Sequence, residues 1–574
     1  MRALRTFFHA AICAWLLLCI SMRPSLAGEI RWRLVSVYGG ELPGGVTADY
    51  TAGPPGCGPS GVLVSRTPTV GNLGVSSAML IEHNGEYRYV ARYFSAPDPQ
   101  HPASIGRLSW NSAADATWGI AHCWVETLPD RPGVHLGLYR GEGAGSLVLR
   151  TGQTAPGTRP GETVATLTAR QGNEYRDLWS DYPILAADGT LFFSGTLAGP
   201  SVTAADDEVL WSNRGGETRL LIREGGNAGG TPGGEALGRV LSHAAIAWNN
   251  AVFRGSNGVW FWNGERFIPV LTTGSSVPGI EGRSSVSFGV NVTMPSINAA
   301  GEVAIAAVVS RYEPHYAYGM ALWRGRPENL ELIWPPDQDT SFIGEGTRVA
   351  LWGWSSPLLA GNGDVLIRVR LEGPGIDASN NLCLLRHRSG NWGVVARSGD
   401  LIGVGPLAVR LGALPELHEI ATNRHGHIVF TADNALTPTL DTTLIAWTPS
   451  AGLSVLLRPG QSIDNDRGTA LTVTSLAFKG GSGGQDGRYS GLGDNGRVVV
   501  RVEFNRQSRN SGVLSLDLAS PCRVDWNTDG GVDGSDLAAF FADWESGAAD
   551  ANHDGGTDGA DLESFITAWA RGDC

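Results

Sequence analysis

A short phrase that recurs through the middle of the chain constrains the fold more than any other feature. It consists of a polar turn, in which Asn or Asp stands near a Gly, followed by an apolar or alternating run. Clear copies are "PILAADGTLFFSGTL" from Pro183, "PSINAAGEVAIAAVV" from Pro295 and "PLLAGNGDVLIRVRL" from Pro357. Weaker copies begin at Ile420 and Gly491. Because Gly supplies the positive φ that a tight turn requires, the phrase predicts a turn that feeds a β-strand.

The spacing of these turns indicates how much chain each repeat contains. Anchor residues recur at broadly similar, long intervals, at Asp115, Gly189, Asn250, Gly301, Gly363, Gly426 and Gly496. Each interval accommodates about four short strands and their loops. One such unit cannot bury its own apolar face, so neighbouring units must stack. We therefore predict a mainly β domain over residues 28–519, a β-propeller-like ring of about seven four-stranded units. Stacked β-sandwiches or a pair of smaller barrels are the alternatives.

Composition agrees with this prediction and limits the partners. The chain has 79 Gly and 31 Pro among 574 residues, and only 17% of its residues are charged, as expected for many short strands joined by tight turns. The formal net charge is −13. The sequence offers no basic patch for a phosphate backbone, so a nucleic-acid partner is not expected.

The N-terminal segment, residues 1–27, has the pattern of a secretory signal peptide. Two basic residues, Arg2 and Arg5, precede the apolar segment "AAICAWLLLCI", and the small-residue pattern "SLA" ends at Ala27. We expect cleavage near Ala27–Gly28 and a secreted, extracellular or surface-associated protein. The apolar run is too short to span a bilayer, and no later run is long enough. An uncut N-terminal anchor helix is the alternative.

The last part of the chain, residues 520–574, is a separate acidic repeat. "DWNTDGGVDGSD" from Asp525 is repeated as "DANHDGGTDGAD" from Asp550, with every acidic position conserved between the two copies. Alternate oxygen-bearing residues around a central Gly match a twelve-position calcium loop. Mg²⁺ is disfavoured because the oxygen cage is nearly all protein. Two Ca²⁺ ions are therefore predicted, with the ligands Asp525, Asn527, Asp529, Gly531, Asp533 and Asp536 for one and Asp550, Asn552, Asp554, Gly556, Asp558 and Asp561 for the other.

Each predicted calcium loop is followed by an amphipathic helix. Apolar residues recur at helical spacing from Leu537 to Trp544 and again from Leu562 to Trp569. Two such stripes make only a small core, and about 50 residues bury little on their own. We therefore expect Ca²⁺ to complete the fold of this tail.

These paired loops and helices resemble a type I dockerin, in the form with flanking cysteines found on large secreted planctomycete-type repeat proteins. The resemblance covers residues 520–574 and implies Ca²⁺-dependent docking on a cohesin-like or other surface protein. One feature departs from the family. The hydroxyl pairs that many dockerins carry at loop positions 10 and 11 are replaced by Gly534–Ser535 and Gly559–Ala560. The departure leaves the predicted metal ligands unchanged and puts a standard cohesin partner in question.

The middle of the chain shows no catalytic motif of comparable strength. "GGSGG" around Ser482 has the Gly-x-Ser-x-Gly spacing, but it lacks the strand and helix of a nucleophile elbow and is interpreted as a flexible loop. His425 and His427 alternate near a strand start without a third ligand, which favours a solvent-facing turn. No motif identifies the two facing carboxylates that a glycosidase needs. The Trp residues, among them Trp248 and Trp352, are assigned mostly to packing, with a possible carbohydrate ligand for a few.

Five cysteines follow the predicted cleavage site, and the exported chain can keep disulfides. Cys522 and Cys574 bracket the tail and could join its ends, and Cys57 could pair with Cys123, which would leave Cys383 alone. The sequence alone does not fix these pairings.

Two functions remain open at this point. The first is a secreted, non-catalytic repeat protein held in place by its calcium-dependent tail. The second is a hydrolase that acts on extracellular polysaccharide and carries a dockerin-like tail. Carboxylates converging at one mouth of the central channel would favour the hydrolase, and their absence would favour the binding protein.

Overall fold

The computed structural model describes most of residues 33–518 and part of the tail from residue 524 to residue 571. Its largest gaps are residues 1–32, 49–54, 93–104, 127–132, 168–183, 226–239 and 505–510 and most of residues 519–533. Residues 552–556 and 572–574 of the tail also lie outside the described part. Shorter gaps separate neighbouring strands. The predicted signal peptide and its cleavage site lie outside the described residues.

Eight antiparallel sheets of at least four strands follow one another along the described chain. They confirm the mainly β fold and its four-stranded repeat units. Sheet 1 contains β2 (Glu41–Leu42), β3 (Val46–Ala48), β4 (Gly56–Cys57), β5 (Leu63–Gly71), β6 (Gly74–His83) and β7 (Glu86–Arg92). Sheet 2 contains β8 (Ile105–Ala114), β9 (Gly119–Glu126), β10 (Gly133–Arg140) and β11 (Ser146–Arg150). Sheet 3 contains β12 (Thr163–Leu167), β13 (Ile184–Leu185), β14 (Leu191–Ala198), β15 (Glu208–Arg214) and β16 (Glu217–Arg223). Sheet 4 contains β17 (Val240–Ala247), β18 (Asn250–Gly255), β19 (Gly258–Trp262) and β20 (Phe267–Thr272).

The second half of the ring repeats this arrangement. Sheet 5 contains β21 (Ser284–Ser287), β22 (Ser296–Ile297), β23 (Val303–Arg311), β24 (Ala317–Arg326) and β25 (Asn329–Trp334). Sheet 6 contains β26 (Arg348–Val349), β27 (Leu358–Leu359), β28 (Val365–Glu372), β29 (Leu382–Arg388) and β30 (Asn391–Arg397). A short hairpin of β31 (Leu401–Ile402) and β32 (Val409–Arg410) precedes sheet 7, which contains β33 (Ile420–Thr422), β34 (Ile428–Asp433), β35 (Thr442–Thr448) and β36 (Gly452–Leu457). Sheet 8 contains β37 (Ser462–Asp464), β38 (Ala470–Ala477), β39 (Arg497–Phe504), β40 (Ser511–Asp517) and the N-terminal strand β1 (Arg33–Val37).

The turn spacing predicted about seven units, and the described chain has eight sheets. The additional unit is sheet 1, where the sequence between β4 and β5, "GPSGV" from Gly58, lacks the Asn/Asp-Gly pattern used to count the repeats. The N-terminal strand β1 is not part of sheet 1. This strand pairs with β40 and so completes the sheet formed by the end of the repeat domain.

A shared irregularity marks the sheets as copies of one unit. In sheets 1 to 7 the third strand shifts register against the fourth, for example at Leu210/Trp211, Leu322/Trp323 and Leu384/Leu385. In sheet 8 the pairing of β1 with β40 shifts in the corresponding place. Such bulges increase the local twist of a strand pair, so every sheet is twisted at the same point.

Successive sheets pack face to face, because their second strands are apolar on both sides. In β23, Val303 and Ile305 lie in the core shared with sheet 4, whereas Ala304 and Ala306 lie in the core shared with sheet 6. The same alternation divides β14, β28, β34 and β39 between their two neighbours. Side chains of a strand alternate between faces, so the continuous apolar runs are explained by burial on both.

The sheets form a closed ring, a β-propeller. Sheet 8 contacts sheet 1 through β39 and β4, and the core at this seam contains Cys57, Val499 and Val513. The N–H of Ser490 donates to the carbonyl of Cys57 at 3.0 Å across the same seam. The ring is therefore closed twice, by β1 within sheet 8 and by contact between the last sheet and the first. Closure protects sheet edges that would otherwise be exposed.

The tail contains the two predicted helices, α1 (Gly534–Ser546) and α2 (Gly559–Arg571). Phe540 and Phe565, which occupy equivalent places in the two repeats, stack in parallel with ring centroids 4.0 Å apart, and Trp526 packs edge-on against both. Both Phe side chains are buried, so the predicted apolar stripes do form one small core. No helix among the described residues is long and apolar enough to cross a membrane.

Candidate functional site

The recurring phrase forms one turn with the same geometry in five sheets. We call these the Gly turns, residues 186–190, 298–302, 360–364, 423–427 and 493–497. In each, the N–H of the first residue donates to the carbonyl of the fifth, and the N–H of the Gly at position four donates to the carbonyl of the first. That Gly has φ between +71° and +83° in all five turns. The predicted requirement for positive φ is thus confirmed.

Neighbouring Gly turns contact one another. The side-chain amide of Asn298 donates to the carbonyl of Ala360, the first residue of the next turn, at 3.3 Å. The side-chain amide of Asn423 donates in the same way to the carbonyl of Gly493 at 3.2 Å. The end of the ring that bears these turns is therefore a connected polar surface.

Two ion pairs occupy equivalent places in this surface, and in each the two residues are 22 apart in sequence. Arg324 donates to Glu302 at 3.1 Å, and Arg386 donates through Nε to Asp364 at 2.7 Å. Each arginine also lies against the Gly of the next turn, since a Cβ added at Gly363 would meet the Arg324 guanidinium and one at Gly426 would meet that of Arg386. Burial lowers the pKa of Arg386, an effect that the Asp364 carboxylate opposes. Each ion pair therefore lies within one sheet, and its arginine extends to the Gly turn of the next sheet.

A glycine-rich segment covers the point where the Gly turns meet. We call residues 480–487 the hub loop. Its carbonyl at Gly481 accepts from the N–H of Thr422 at 2.9 Å, and its Gln485 accepts through Oε1 from the N–H of Ala299, 186 residues away in sequence, at 3.1 Å. Gln485 also lies against Gly361 of the next turn. One side chain thus contacts the second residue of two successive Gly turns.

Gln485 also hydrogen-bonds the carboxyl group of Asp494, the second residue of the last Gly turn. Asp494 is 7% exposed and accepts from the N–H of Arg424 at 3.0 Å. Burial raises the pKa of Asp494 to about 6, although the Arg424 charge and the two hydrogen bonds oppose the rise. A carboxyl group that titrates near pH 6 therefore lies beneath the hub loop.

The structure corrects two interpretations of this region. The segment around Ser482 is not an exposed flexible loop, because every residue from Ser482 to Gly487 is buried. Ser482 is inaccessible, which is incompatible with a role as an exposed nucleophile. His427 does not face solvent either: it is 2% exposed, and burial lowers its pKa to about 4. The rings of His425 and His427 lie 5.9 Å apart.

Most of the Trp side chains that the structure describes serve packing, as predicted. Trp211, Trp260 and Trp323 are fully buried in the sheets. Trp211 donates through Nε1 to the carbonyl of Pro156, and Trp323 donates equivalently to that of Pro278. Trp248 and Trp352 lie outside the described residues. Cys383 is buried in β29, which raises the pKa of its thiol to about 12, and it is unpaired. The side chains of Cys123, Cys522 and Cys574 lie outside the described part, so their pairings stay predictions.

Three of the twelve predicted calcium ligands are described, and two of them share an unusual environment. Asp536 and Asp561, each at loop position 12, lie in the first turns of α1 and α2 and are fully buried. Asp558 is exposed, and its N–H donates to Asp561 at 2.9 Å. The remaining ligands lie outside the described residues, namely Asp525, Asn527, Asp529, Gly531, Asp533, Asp550, Asn552, Asp554 and Gly556. Within the described residues no group of three or more acidic, His or Cys side chains is placed to hold a metal ion.

The contacts that sequence reasoning missed are those of the hub. Gln485 and Asp494 carry no motif, and Gly361 looks like any turn glycine. The only available signal was the repeat itself, which assigns Ala299, Gly361, Arg424 and Asp494 to the second position of successive Gly turns. That alignment places the four residues at equivalent points of successive sheets, and the structure brings them together around Gln485.

Solved structures that are similar to the chain include a β-propeller domain and polysaccharide-active enzymes. The β-propeller domain of the Trilobed protease from Pyrococcus furiosus is 8% identical with a TM-score of 0.33, over 72% of this chain and 96% of that one. Polysaccharide lyase Uly1 is 9% identical with a TM-score of 0.31, over 86% and 94%. The α-L-arabinanase from Penicillium chrysogenum is 10% identical with a TM-score of 0.21, over 74% and 98%. These scores are too low to transfer a function.

No curated protein matches the chain. A family model does match it, over residues 69–251 and again over residues 234–514. Together the two matches cover residues 69–514, so the first strands of sheet 1 and the tail lie outside them. The matched region coincides with the ring of sheets. The chain therefore belongs to DUF7453, a family of unknown function.

Proposed function

We propose that this protein is a secreted, non-catalytic β-propeller held on an extracellular or cell-surface partner by a Ca²⁺-dependent, dockerin-like tail. The observation that carries the proposal is the pair of fully buried carboxylates, Asp536 and Asp561, which lie at equivalent positions at the starts of the two helices. Both residues have partners, among them the N–H of Asp558 for the carboxyl group of Asp561, and a bound cation would add to this compensation for the cost of burial. Position 12 of a calcium loop is where such a carboxylate reaches the ion.

The exposed face of the tail supports docking. Phe541 and Ile566 occupy equivalent positions of α1 and α2, and each is 37% exposed. Gly534 and Gly559, at loop position 10, have open space where a side chain would be. A partner would thus meet small residues and one large apolar side chain on each helix, in place of the hydroxyl pairs of a standard dockerin. We propose a surface protein with a matching apolar contact.

The ring supports the non-catalytic function more than the hydrolase alternative. The carboxylates that the described turns bring together are Glu302, Asp364 and Asp494. The first two are bound by arginines, and the third lies beneath the hub loop. A retaining or inverting glycosidase needs two carboxyl groups that face a sugar across open space. Asp486 of the hub loop lies near Asp494, but both side chains are buried. Among the described residues, this end of the ring therefore offers no pair of carboxyl groups that face open space.

The proposal is tested by measuring whether Ca²⁺ protects the tail of the intact chain from proteolysis. Limited proteolysis with added Ca²⁺, compared with a chelator, is expected to leave the tail intact only with the metal, because the ion completes a core too small to hold alone. The double variant Asp536→Asn/Asp561→Asn keeps side-chain shape but removes both charges, and it should be cut in either condition.

Glu563→Gln is the matched control, since it removes one acidic charge from α2 outside the predicted loop. It should retain calcium protection. Equal cleavage of the wild-type tail with and without Ca²⁺ would rule out a calcium-dependent module and with it the proposed mode of attachment.

A further inference from the structure

The hub loop crosses more of the ring than any local turn requires. It leaves sheet 8 after β38 and pairs through Gly481 in parallel with Ala421 of β33, the first strand of sheet 7. The chain then returns to sheet 8 at Ser490, which exchanges two backbone hydrogen bonds with Cys57 of sheet 1. One short stretch of chain therefore contacts sheet 7, sheet 8 and sheet 1, on both sides of the seam where the ring closes.

The centre of the hub loop adds contacts to two more sheets. Gln485 binds Ala299 in the Gly turn of sheet 5 and lies against Gly361 in that of sheet 6. The same side chain binds Asp494 in the turn of sheet 8. The loop and its flanking residue Ser490 thus contact five of the eight sheets, namely sheets 1, 5, 6, 7 and 8, at one end of the ring.

We propose that the hub loop is a releasable latch across the closing seam of the propeller, and that the charge on the Asp494 carboxyl group sets how firmly it is docked. Release would break the pairing of Gly481 with sheet 7, free Gln485 from the Gly turns and uncover this end of the ring. The inference concerns the ring alone and stands independently of the function proposed for the tail.

The composition of the loop suits a segment that docks and releases. Gly481, Gly483, Gly484 and Gly487 all have φ in the left-handed region, between +76° and +154°. The docked shape is therefore open to glycine and disfavoured for other residues. The hydroxyl of Ser482 is buried without a hydrogen-bond partner in the described part of the chain. A buried polar atom without a partner lowers the stability of the docked state.

The groups that face Asp494 determine the direction of the effect. Arg424 comes from the turn of sheet 7, Asp486 comes from the hub loop itself, and Gln485 donates to the carboxyl group. Burial raises the pKa of Asp494 to about 6 from an ordinary value of 3.8. The docked carboxyl group thus holds its proton more tightly than the released one. Docking is therefore strongest below pH 3.8 and weakens as the pH rises through about 6.

His427 in the adjacent turn titrates in the opposite sense. Burial lowers its pKa to about 4 from an ordinary value of 6.5, so its contribution to the stability of the folded ring is full above pH 6.5 and is lost as the pH falls towards 4. The pH profile of the wild-type protein combines both groups. A comparison of variant with wild type at each pH isolates the contribution of Asp494.

Hydrogen–deuterium exchange of the full chain tests the latch. The readouts are the amides of Gly481 and Ser490, whose backbone hydrogen bonds exist only in the docked state. In Asp494→Asn, which keeps the shape and the acceptor for Arg424, exchange of these amides at pH 7.5 should be slower than in wild type by roughly tenfold or more. At pH 3.5, below the ordinary value, the two proteins should exchange at rates within roughly twofold of each other.

Asp517→Asn is the control, because Asp517 is an exposed acid at the end of β40. It should leave the exchange of both amides unchanged. Faster exchange in Asp494→Asn at pH 7.5 would overturn the proposal, since it would mean that an ionised Asp494 paired with Arg424 secures the loop.

If Asp494→Asn does not fold, His427→Gln provides the second test. This variant removes the opposing titration of His427 and keeps that of Asp494, so protection of Gly481 and Ser490, corrected for intrinsic exchange, should fall between pH 4.5 and pH 7.5. Protection that stays constant or rises over that range would contradict the proposal.

Discussion

Arg386→Met is expected to destabilise the ring by about 3 kcal/mol, because it leaves the Asp364 carboxylate buried without its main partner. The Asp364 side chain is 3% exposed and that of Arg386 is 12% exposed, so water reaches neither freely. Arg388 remains 3.9 Å from the carboxylate and limits the loss. The stacking of Arg386 on Trp447, at 4.8 Å from the ring centroid, is lost as well. Denaturant unfolding curves measure the change.

Two further variants establish the cause. The double variant Asp364→Asn/Arg386→Met removes the buried charge together with its partner and should recover much of the loss. Arg219→Met breaks the ion pair with Glu217, in which both side chains are about two-thirds exposed, and should leave stability unchanged. An Arg386→Met protein as stable as wild type would show that Arg386 does not stabilise the contact between sheets 6 and 7.

Gly361→Ala is expected to cost about 1–3 kcal/mol through overpacking at the hub. A Cβ at this position would lie 2.0 Å from Nε2 of Gln485 and 2.7 Å from the Cβ of Arg424. Neither distance is tolerable, so the hub loop or the turn of sheet 7 must move. The change should also speed amide exchange at Gly481, which a general loss of packing elsewhere would not do selectively.

Gly393→Ala is the matched control, since a Cβ added to this strand glycine meets nothing within 4 Å. Alanine there should leave stability unchanged or slightly raised, because glycine loses more conformational freedom on folding. Equal unfolding midpoints and equal Gly481 exchange in the two variants would contradict the docked position of Gln485.

The parts of the fold that the sequence predicted are those with a local cause. Positive φ at Gly189, Gly301 and Gly363 follows from a turn chemistry that can be read within one short phrase. Burial on both faces of β23 follows from its continuous apolar run. Sheet 1 was missed because its turn uses a different chemistry, although its strand pairing matches that of the others.

The hub was not predictable in the same way. A run of glycines has the same local character whether it is exposed or buried, and the contact of Gln485 with Ala299 joins residues 186 apart. The calcium loops show the reverse: their spacing predicts ligands strongly, and the structure adds that Asp536 and Asp561 are buried and that Phe540 and Phe565 form the core between the helices.

Native mass spectrometry of the intact chain, titrated with Ca²⁺, tests the central claim most directly because it counts bound ions. The account predicts two ions on the wild-type protein, one on each of Asp536→Asn and Asp561→Asn, and two on the Glu563→Gln control. A protein that binds no Ca²⁺, or whose ion count is the same in all four forms, would contradict a calcium-loaded tail as the means of attachment.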